Sequence, residues 1–152
     1  MKQKVKKQII GISEIAQLIL FKLDDELFSF RITNINEIQE MINIVRVPNA
    51  DSFIEGIINL RGEVITIINL KKKLGLANTD ILPNSMIMVA RTETQKIGLL
   101  VDSVKEVKNI SEDDVEPAPK LVAGISTDYL EGIGKVDDEP VIILDFNKII
   151  AV

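Results

Sequence analysis

The stretch FIEGIINLRGEVITIINL, residues 53 to 70, places Arg61, Gly62 and Glu63 in the middle of the most apolar part of the chain. The β-branched residues on both sides favour two strands, and glycine accepts the positive φ that a tight hairpin needs. The sequence therefore predicts an antiparallel hairpin with Arg61 and Gly62 at its tip. These charges are either an ordinary solvated turn or part of a surface that a partner reads.

The composition of the 152-residue chain favours a mainly β protein. Isoleucine and valine together number 39, against five phenylalanines, one tyrosine and no tryptophan, and β-branched side chains pack best on a pleated sheet. The length suits one domain or two small units that share a core. No apolar run approaches the roughly 20 residues of a membrane span, so we expect a cytoplasmic chain without direct membrane insertion.

Cysteine and histidine are both absent, which removes disulfides, Cys or His nucleophiles, histidine general bases and Cys/His zinc sites. The acidic clusters at 24–26, 112–114 and 137–139 lack the spaced ligands of an EF-hand loop, so we expect no metal and no cofactor. The net charge of −5 opposes nucleic-acid binding. We expect the basic run Lys71–Lys73 to form the exposed side of a short helix.

The chain contains an internal duplication in two registers. At an offset of 69, residues 27–38 align with residues 96–107. At an offset of 76, residues 52–74 align with residues 128–150 without a gap. The change of register corresponds to seven extra residues in the second copy, which fit a surface loop at 116–129.

Each copy predicts the same series of short elements. Strands at 18–23 and 27–32 flank an acidic turn, and the spacing of three from Ile32 to Ile38 then indicates a tight turn or bulge, with a short helix as the alternative. The hairpin follows, and Asn69 or Asp145 caps a short closing helix. Five or so short strands per copy would leave exposed edges in an open sheet, so small closed barrels are favoured.

These residues resemble the CheW-type coupling proteins of bacterial chemotaxis, from about Gln17 to the end of the chain. The most specific part is the stretch from Gly56 to Gly62, which looks like the family's G-x-x-N-L-R-G signature. The resemblance implies an all-β fold of two intertwined, related SH3-like five-stranded barrels with short flanking helices. It implies a single CheW-like domain over 1–152, with approximate subdomains at 17–84 and 85–145 and a short C-terminal helix at 146–152.

The resemblance also implies a non-enzymatic scaffold that links the cytoplasmic tips of transmembrane chemoreceptors to the regulatory domain of the histidine kinase CheA. The receptor-binding residues that it implies are Ile35, Glu37, Ile38, Gly56, Asn59 and Arg61. The kinase-binding residues that it implies are Met86, Gly98, Val104 and Val107. The family pattern makes Glu37 the ion-pair partner of Arg61, and a receptor helix hairpin would dock in the groove beside Ile35.

The same residues also have structural interpretations. Ile35 and Ile38 could belong to the core, as could the four kinase-binding candidates, and Gly56 could be a strand bulge because Gly132 repeats it. Arg61 is matched by Asp137 in the second copy, so the fold does not demand an arginine there. Two other functions stay open, namely a carboxylate-based enzyme and a small-barrel module that binds a peptide or kinase outside chemotaxis.

Overall fold

The computed structural model describes residues 14–119, 121–122 and 124–151. Residues 1–13 and 152 of the predicted domain therefore lie outside the described part. Short 3-10 turns occur at Ile32–Asn34, Glu112–Asp114 and Thr127–Tyr129. The strands and α-helices of the described residues are β1 (Ile15–Leu23), β2 (Glu26–Arg31), β3 (Glu37–Glu40), β4 (Ile54–Leu60), β5 (Glu63–Asn69), α1 (Leu70–Lys73), β6 (Met86–Arg91), β7 (Lys96–Val101), β8 (Ser103–Ser111), β9 (Leu121–Val122), β10 (Ile125–Ser126), β11 (Leu130–Val136), β12 (Glu139–Leu144) and α2 (Phe146–Ile150).

The strands form two five-stranded sheets and a small ribbon of β9 and β10. Sheet A has the order β11-β12-β2-β1-β8, and sheet B has the order β3-β6-β7-β5-β4. Each sheet has one parallel pair, β12–β2 in sheet A and β5–β7 in sheet B, and its other pairs are antiparallel. The all-β prediction of two related five-stranded units with short helices is confirmed.

The two copies exchange strands. Each sheet combines two strands of one copy with three of the other, and the chain crosses between the sheets twice, through residues 32–36 after β2 and through Asp102 after β7. The approximate division into 17–84 and 85–145 therefore does not separate the sheets. The reason is that β1 and β2 pair with strands of the second copy, while β6 and β7 pair with strands of the first.

Three hydrophobic clusters fill the described molecule. The largest, called the shared core below, takes buried side chains from both sheets, including Phe21 and Phe28 of sheet A and Met88 and Leu99 of sheet B. One smaller cluster belongs to sheet A and another to sheet B. Strand β1 sends alternate residues to the shared core and to the sheet A cluster, which explains its continuous apolar run. The two sheets therefore pack as one body.

The two closing helices begin as the sequence predicts. The Oδ1 atom of Asn69 accepts a hydrogen bond from the Lys72 amide at 3.2 Å, and Asp145 Oδ1 accepts one from the Lys148 amide at 3.2 Å. These bonds satisfy amides that have no partner within a helix. Between β2 and β3 the chain forms a 3-10 turn of three residues, Ile32–Asn34, which fits both the expected tight turn and the short-helix alternative in the first copy. No α-helix in the described ranges is long and apolar enough to cross a membrane.

The basic run on α1 differs from the expectation of an exposed face. The Lys71 side chain is 3% exposed, and its Nζ atom lies 2.8 Å from Asp102 Oδ1. Lys73 lies with Nζ 4.1 Å from the centroid of the Phe53 ring. The expectation is wrong for Lys71, because α1 turns this side chain toward a buried carboxylate that is 31 positions away in the chain.

Candidate functional site

The β4–β5 hairpin ends in a two-residue turn at Arg61 and Gly62. Their φ values are +52° and +85°, both positive as a type I′ turn requires. Asn59 Oδ1 accepts a hydrogen bond from the Gly62 amide at 3.0 Å, so Asn59 supports the turn itself. The matching turn of the second copy uses Asp137 and Asp138, at φ +50° and +66°. Aspartate suits this left-handed region better than arginine does, so turn geometry does not explain Arg61.

The Arg61 guanidinium forms an ion pair with Glu37 of β3. Its Nη2 atom lies 2.7 Å from each carboxylate oxygen. The hydrogen bond with Glu37 raises the pKa of Arg61. The two side chains are 63% and 34% exposed, so solvent screens the pair and it contributes little to stability. Because β3 and β4 are opposite edges of sheet B, a contact of 2.7 Å between Glu37 and the β4–β5 turn shows that the sheet curls until its two edges meet.

Ile38 supplies an exposed apolar group on the same edge strand. It is 37% exposed and lies directly opposite Met88, and directly opposite residues of an antiparallel pair point to the same face. Since Met88 belongs to the shared core, Ile38 extends that apolar face outward to the sheet edge. Ile35 is half-buried against the shared core, so it is at least partly a core residue.

Gly56 is buried and serves the fold of sheet B. The Val45 and Ile57 backbones exchange two hydrogen bonds of 2.8 Å, and a Cβ atom on Gly56 would collide with the Val45 carbonyl oxygen. Its φ is +151°, and the register shift between Ile54 and Gly56 marks a bulge. The bulge interpretation explains this glycine, because the chain's own backbone fills the space that a partner helix would need. Gly132 meets the Glu116 carbonyl in the same way.

The four kinase-binding candidates do not all reach the surface. Gly98 is buried in β7, where a Cβ atom would lie 2.6 Å from Ile67 Cδ1, so its role is close packing inside sheet B. Met86 and Val104 are half-buried, pack against the shared core and line one shallow groove. Val107 is 44% exposed. The most accessible residue of this set is therefore Val107, while Met86 and Val104 are accessible only in part, in their own groove.

The second copy also has an ion pair between a sheet edge and a hairpin tip, with the charges exchanged: the cation is on the strand and the anion is at the tip. Lys108 Nζ lies 3.4 Å from Glu106 Oε1 and 3.5 Å from Asp137 Oδ2. The charge of Asp137, followed by the hydrogen bond with Glu106, raises the pKa of Lys108. Glu106 and Asp137 occupy the positions that Glu37 and Arg61 occupy in the first copy. The charge at the hairpin tip therefore reverses from sheet B to sheet A.

One exposed residue beside the tip was not among the candidates. Val64 is 63% exposed and lies opposite Asn59 in the β4–β5 pair. It shares a strand face with Thr66 and Ile68, and Ile68 reaches the shared core. Thr66, the polar residue in the run from Val64 to Ile68, marks this strand face as the less buried one and is the sequence signal for Val64.

The carboxylates with shifted pKa values do not resemble general acids. Burial raises the pKa of Glu55, but hydrogen bonds from Lys72 and Asn69 bring it below its ordinary value. The hydrogen bond from Lys96 lowers the pKa of Glu63. A neutral-pH acid needs the opposite shift. Within the described residues, no group of three or more acidic side chains is placed to hold a metal ion.

Comparison with known proteins gives a consistent family. The CheW-like domain model matches residues 17–152. The chain is 34% identical over 137 residues to the chemotaxis protein CheW of Thermotoga maritima, with 88% of this chain and 87% of that protein covered. The corresponding protein of Treponema pallidum is 31% identical over 137 residues, with 88% and 81% covered.

A solved structure gives the same result. The crystal structure of the scaffolding protein TtCheW from Thermoanaerobacter tengcongensis superposes with a TM-score of 0.84 at 37% identity, covering 91% of this chain and 94% of that one. The family model and the solved structure agree over nearly the whole chain. This chain therefore belongs to the CheW family, the non-catalytic coupling scaffolds of chemotaxis.

Proposed function

We propose that this chain is a cytoplasmic adaptor that holds the tips of transmembrane chemoreceptors and the regulatory domain of the kinase CheA in a fixed geometry. Family membership over residues 17–152 supports the proposal. The family is non-catalytic, which excludes the carboxylate-based enzyme. The relatives are chemotaxis proteins, which argues against the alternative of a peptide-binding or kinase-binding module that acts outside chemotaxis. The adaptor needs neither cofactor nor metal, because it transmits a conformational bias without chemistry.

The receptor-facing surface is the β3 edge of sheet B, where Ile38 points to one face and Glu37, with Arg61, lies toward the other; Val64 lies at its margin. A helix that docks in a groove needs apolar anchors with a polar rim, and this surface offers both. The single observation that carries it is Arg61 itself, a bulky cation in a left-handed turn position that the second copy fills with Asp137. Recognition of a partner explains an arginine that turn geometry does not.

The other candidates of this group act indirectly. Asn59 holds the turn through its bond to the Gly62 amide, and Ile35 anchors the crossing segment on the shared core. Gly56 allows Val45 to approach β4. These three residues support the receptor-facing surface without belonging to it. Their substitution should therefore lower the stability of the fold, and should affect receptor binding only through that loss.

The kinase-facing surface lies on sheet A around Val107 of β8. Val107 is exposed on an edge strand, and Met86 and Val104 contribute the half-buried groove. In the family, the kinase carries a homologous regulatory domain, so the contact would join one barrel-like unit to another. An exposed apolar group on a strand edge suits such a contact.

Co-sedimentation with a receptor signalling fragment and CheA tests the proposal. We use Arg61→Asn, since asparagine accepts positive φ and preserves the turn while removing the cation. We expect less of the chain to sediment with the receptor fragment, while its binding to CheA is unchanged. Asp137→Asn at the matching turn is the control and should leave receptor retention unchanged. Equal receptor retention by Arg61→Asn and the wild type would eliminate the proposed receptor surface.

Val107→Glu tests the second surface in the same assay. We expect loss of CheA from the pellet while the receptor is still bound, because a charge would replace an exposed apolar contact. Retention of both partners by this variant would remove Val107 from the kinase-facing surface.

A further inference from the structure

Asp102 occupies the point at which the chain passes from sheet B to sheet A. It is the single residue between β7 and β8, and its side chain is 7% exposed. Its Oδ1 atom lies 2.8 Å from Lys71 Nζ on α1, which follows β5 of sheet B. Its Oδ2 atom accepts a hydrogen bond of 2.6 Å from the backbone amide of Asp24, in the β1–β2 turn of sheet A. One buried carboxylate therefore contacts both sheets at their crossing.

The charges around Asp102 are costly to bury. Lys71 is 3% exposed, and its Nζ atom lies 3.7 Å from Asp24 Oδ1 in addition to its contact with Asp102. Among the described groups, this ammonium makes no hydrogen bond of regular geometry. Apolar side chains of similar size often stabilise a buried site as well as an ion pair does. Stability alone therefore does not account for the pair.

The duplication shows that the architecture can form without these charges. In the aligned copies Lys71 corresponds to Asn147 and Asp102 corresponds to Thr33, and both of these residues are exposed. The equivalent crossing runs through residues 32–36 and includes a 3-10 turn. The buried pair is thus specific to one of the two crossings, and this crossing is the shorter one.

We propose that the Lys71–Asp102–Asp24 network is a positioning device that fixes the orientation of sheet A relative to sheet B. Strand β8, which carries Val107, begins at the residue after Asp102. The direction in which the chain leaves Asp102 and enters β8 therefore determines where this edge lies relative to the hairpin tip at Arg61. The inference concerns the free chain and does not depend on the identity of any partner.

Residual dipolar couplings of backbone amides measure this orientation directly. For the wild type, we expect one alignment tensor to fit the amides of both sheets. The test variant is Lys71→Met combined with Asp102→Asn, which removes both charges while the asparagine oxygen still accepts the Asp24 amide proton. We expect each sheet to fit well separately, but the two tensors to differ in orientation beyond the fitting error.

The matched control is Asn147→Met combined with Thr33→Asn at the duplicated positions. Both residues are exposed, so we expect a single tensor. Asp24→Asn gives a milder perturbation, because this side chain is 38% exposed. The angle between the tensors of sheet A and sheet B should change in the same direction as in the double variant, but by less. A single tensor for both the double variant and Asp24→Asn would overturn the proposal, and the receptor and kinase assays above would be unaffected by that result.

Discussion

Replacement of Gly56 by alanine should destabilise the chain strongly, because two structural costs coincide there. The φ of +151° lies where a side chain strains the backbone by about 1–3 kcal/mol. The new Cβ would also push the Val45 carbonyl away from β4 and break two backbone hydrogen bonds with Ile57, which contribute about 1 kcal/mol each. We therefore expect a loss of about 3–5 kcal/mol in the free energy of unfolding.

Urea unfolding followed by circular dichroism measures this loss in a chain that has no tryptophan. For a domain of this length, the expected loss lowers Tm by roughly 6–20 °C. Gly62→Ala is the matched control, since its φ is +85° and a Cβ there meets nothing within 4 Å. The control isolates the backbone strain, which costs about 1–2 kcal/mol.

The comparison of these two glycine variants can refute the structural role of Gly56. A loss no larger than that of Gly62→Ala would show that the pairing of Val45 with Ile57 of β4 does not require a glycine at position 56. If such a stable Gly56→Ala variant also lost receptor binding, the glycine would belong to the receptor-facing surface after all. A large loss of stability would show that Gly56 has a structural role.

Three further predictions concern charged residues. Arg61→Gly should give an equal or higher Tm, because glycine relieves the left-handed strain, and a clear decrease would mean that the pair with Glu37 stabilises the fold. Arg31→Ala should cost about 1–2 kcal/mol in urea unfolding, since its guanidinium contacts two carboxylates at 2.8 Å, from Glu112 and Glu131; an unchanged midpoint would contradict this. The pKa of Glu55 is lowered in the folded chain, so ionised Glu55 stabilises the fold. This contribution is fully present at pH values above the ordinary pKa of 4.5 and is lost as the pH falls through the folded-state pKa. Glu55→Gln should remove this part of the acid dependence, and identical acid titrations of stability for both proteins would disprove it.

Local features of the fold could be predicted from the sequence because neighbouring residues determine them. The turn at Arg61 and Gly62 follows from two apolar runs separated by a glycine, and the caps at Asn69 and Asp145 follow from side chains that reach their own helix. Arg61 could be selected as an exposed candidate because the duplication replaces it with Asp137. Ile38 stays apolar in the second copy, as Val107, and became a candidate only through the family resemblance.

Features that depend on distant pairing could not be read from residue patterns. Strand β2 pairs with β12 and β7 pairs with β5, yet the copies present such similar strands that the pattern does not say which copy supplies the partner. The burial of Lys71 depends on a carboxylate 31 positions later, and helix periodicity contains no information about it. The packing of Gly98 against Ile67 is likewise visible only after the sheet is assembled.

The duplication also bears on how the two proposed surfaces differ. Val107 lies directly opposite Ile19 of the shared core, as Ile38 lies opposite Met88, so both exposed residues extend the same apolar face to a sheet edge. Two equivalent apolar edges give little basis for distinguishing one partner from another, since burial of apolar area is not directional.

The hairpin tips beside these edges carry opposite charges, Arg61 on sheet B and Asp137 on sheet A. Charge of one sign attracts a complementary partner and repels a partner of like charge. On the proposed function, the apolar edges therefore provide the contact area, while the reversed tip charge assigns the receptor to one sheet and the kinase to the other.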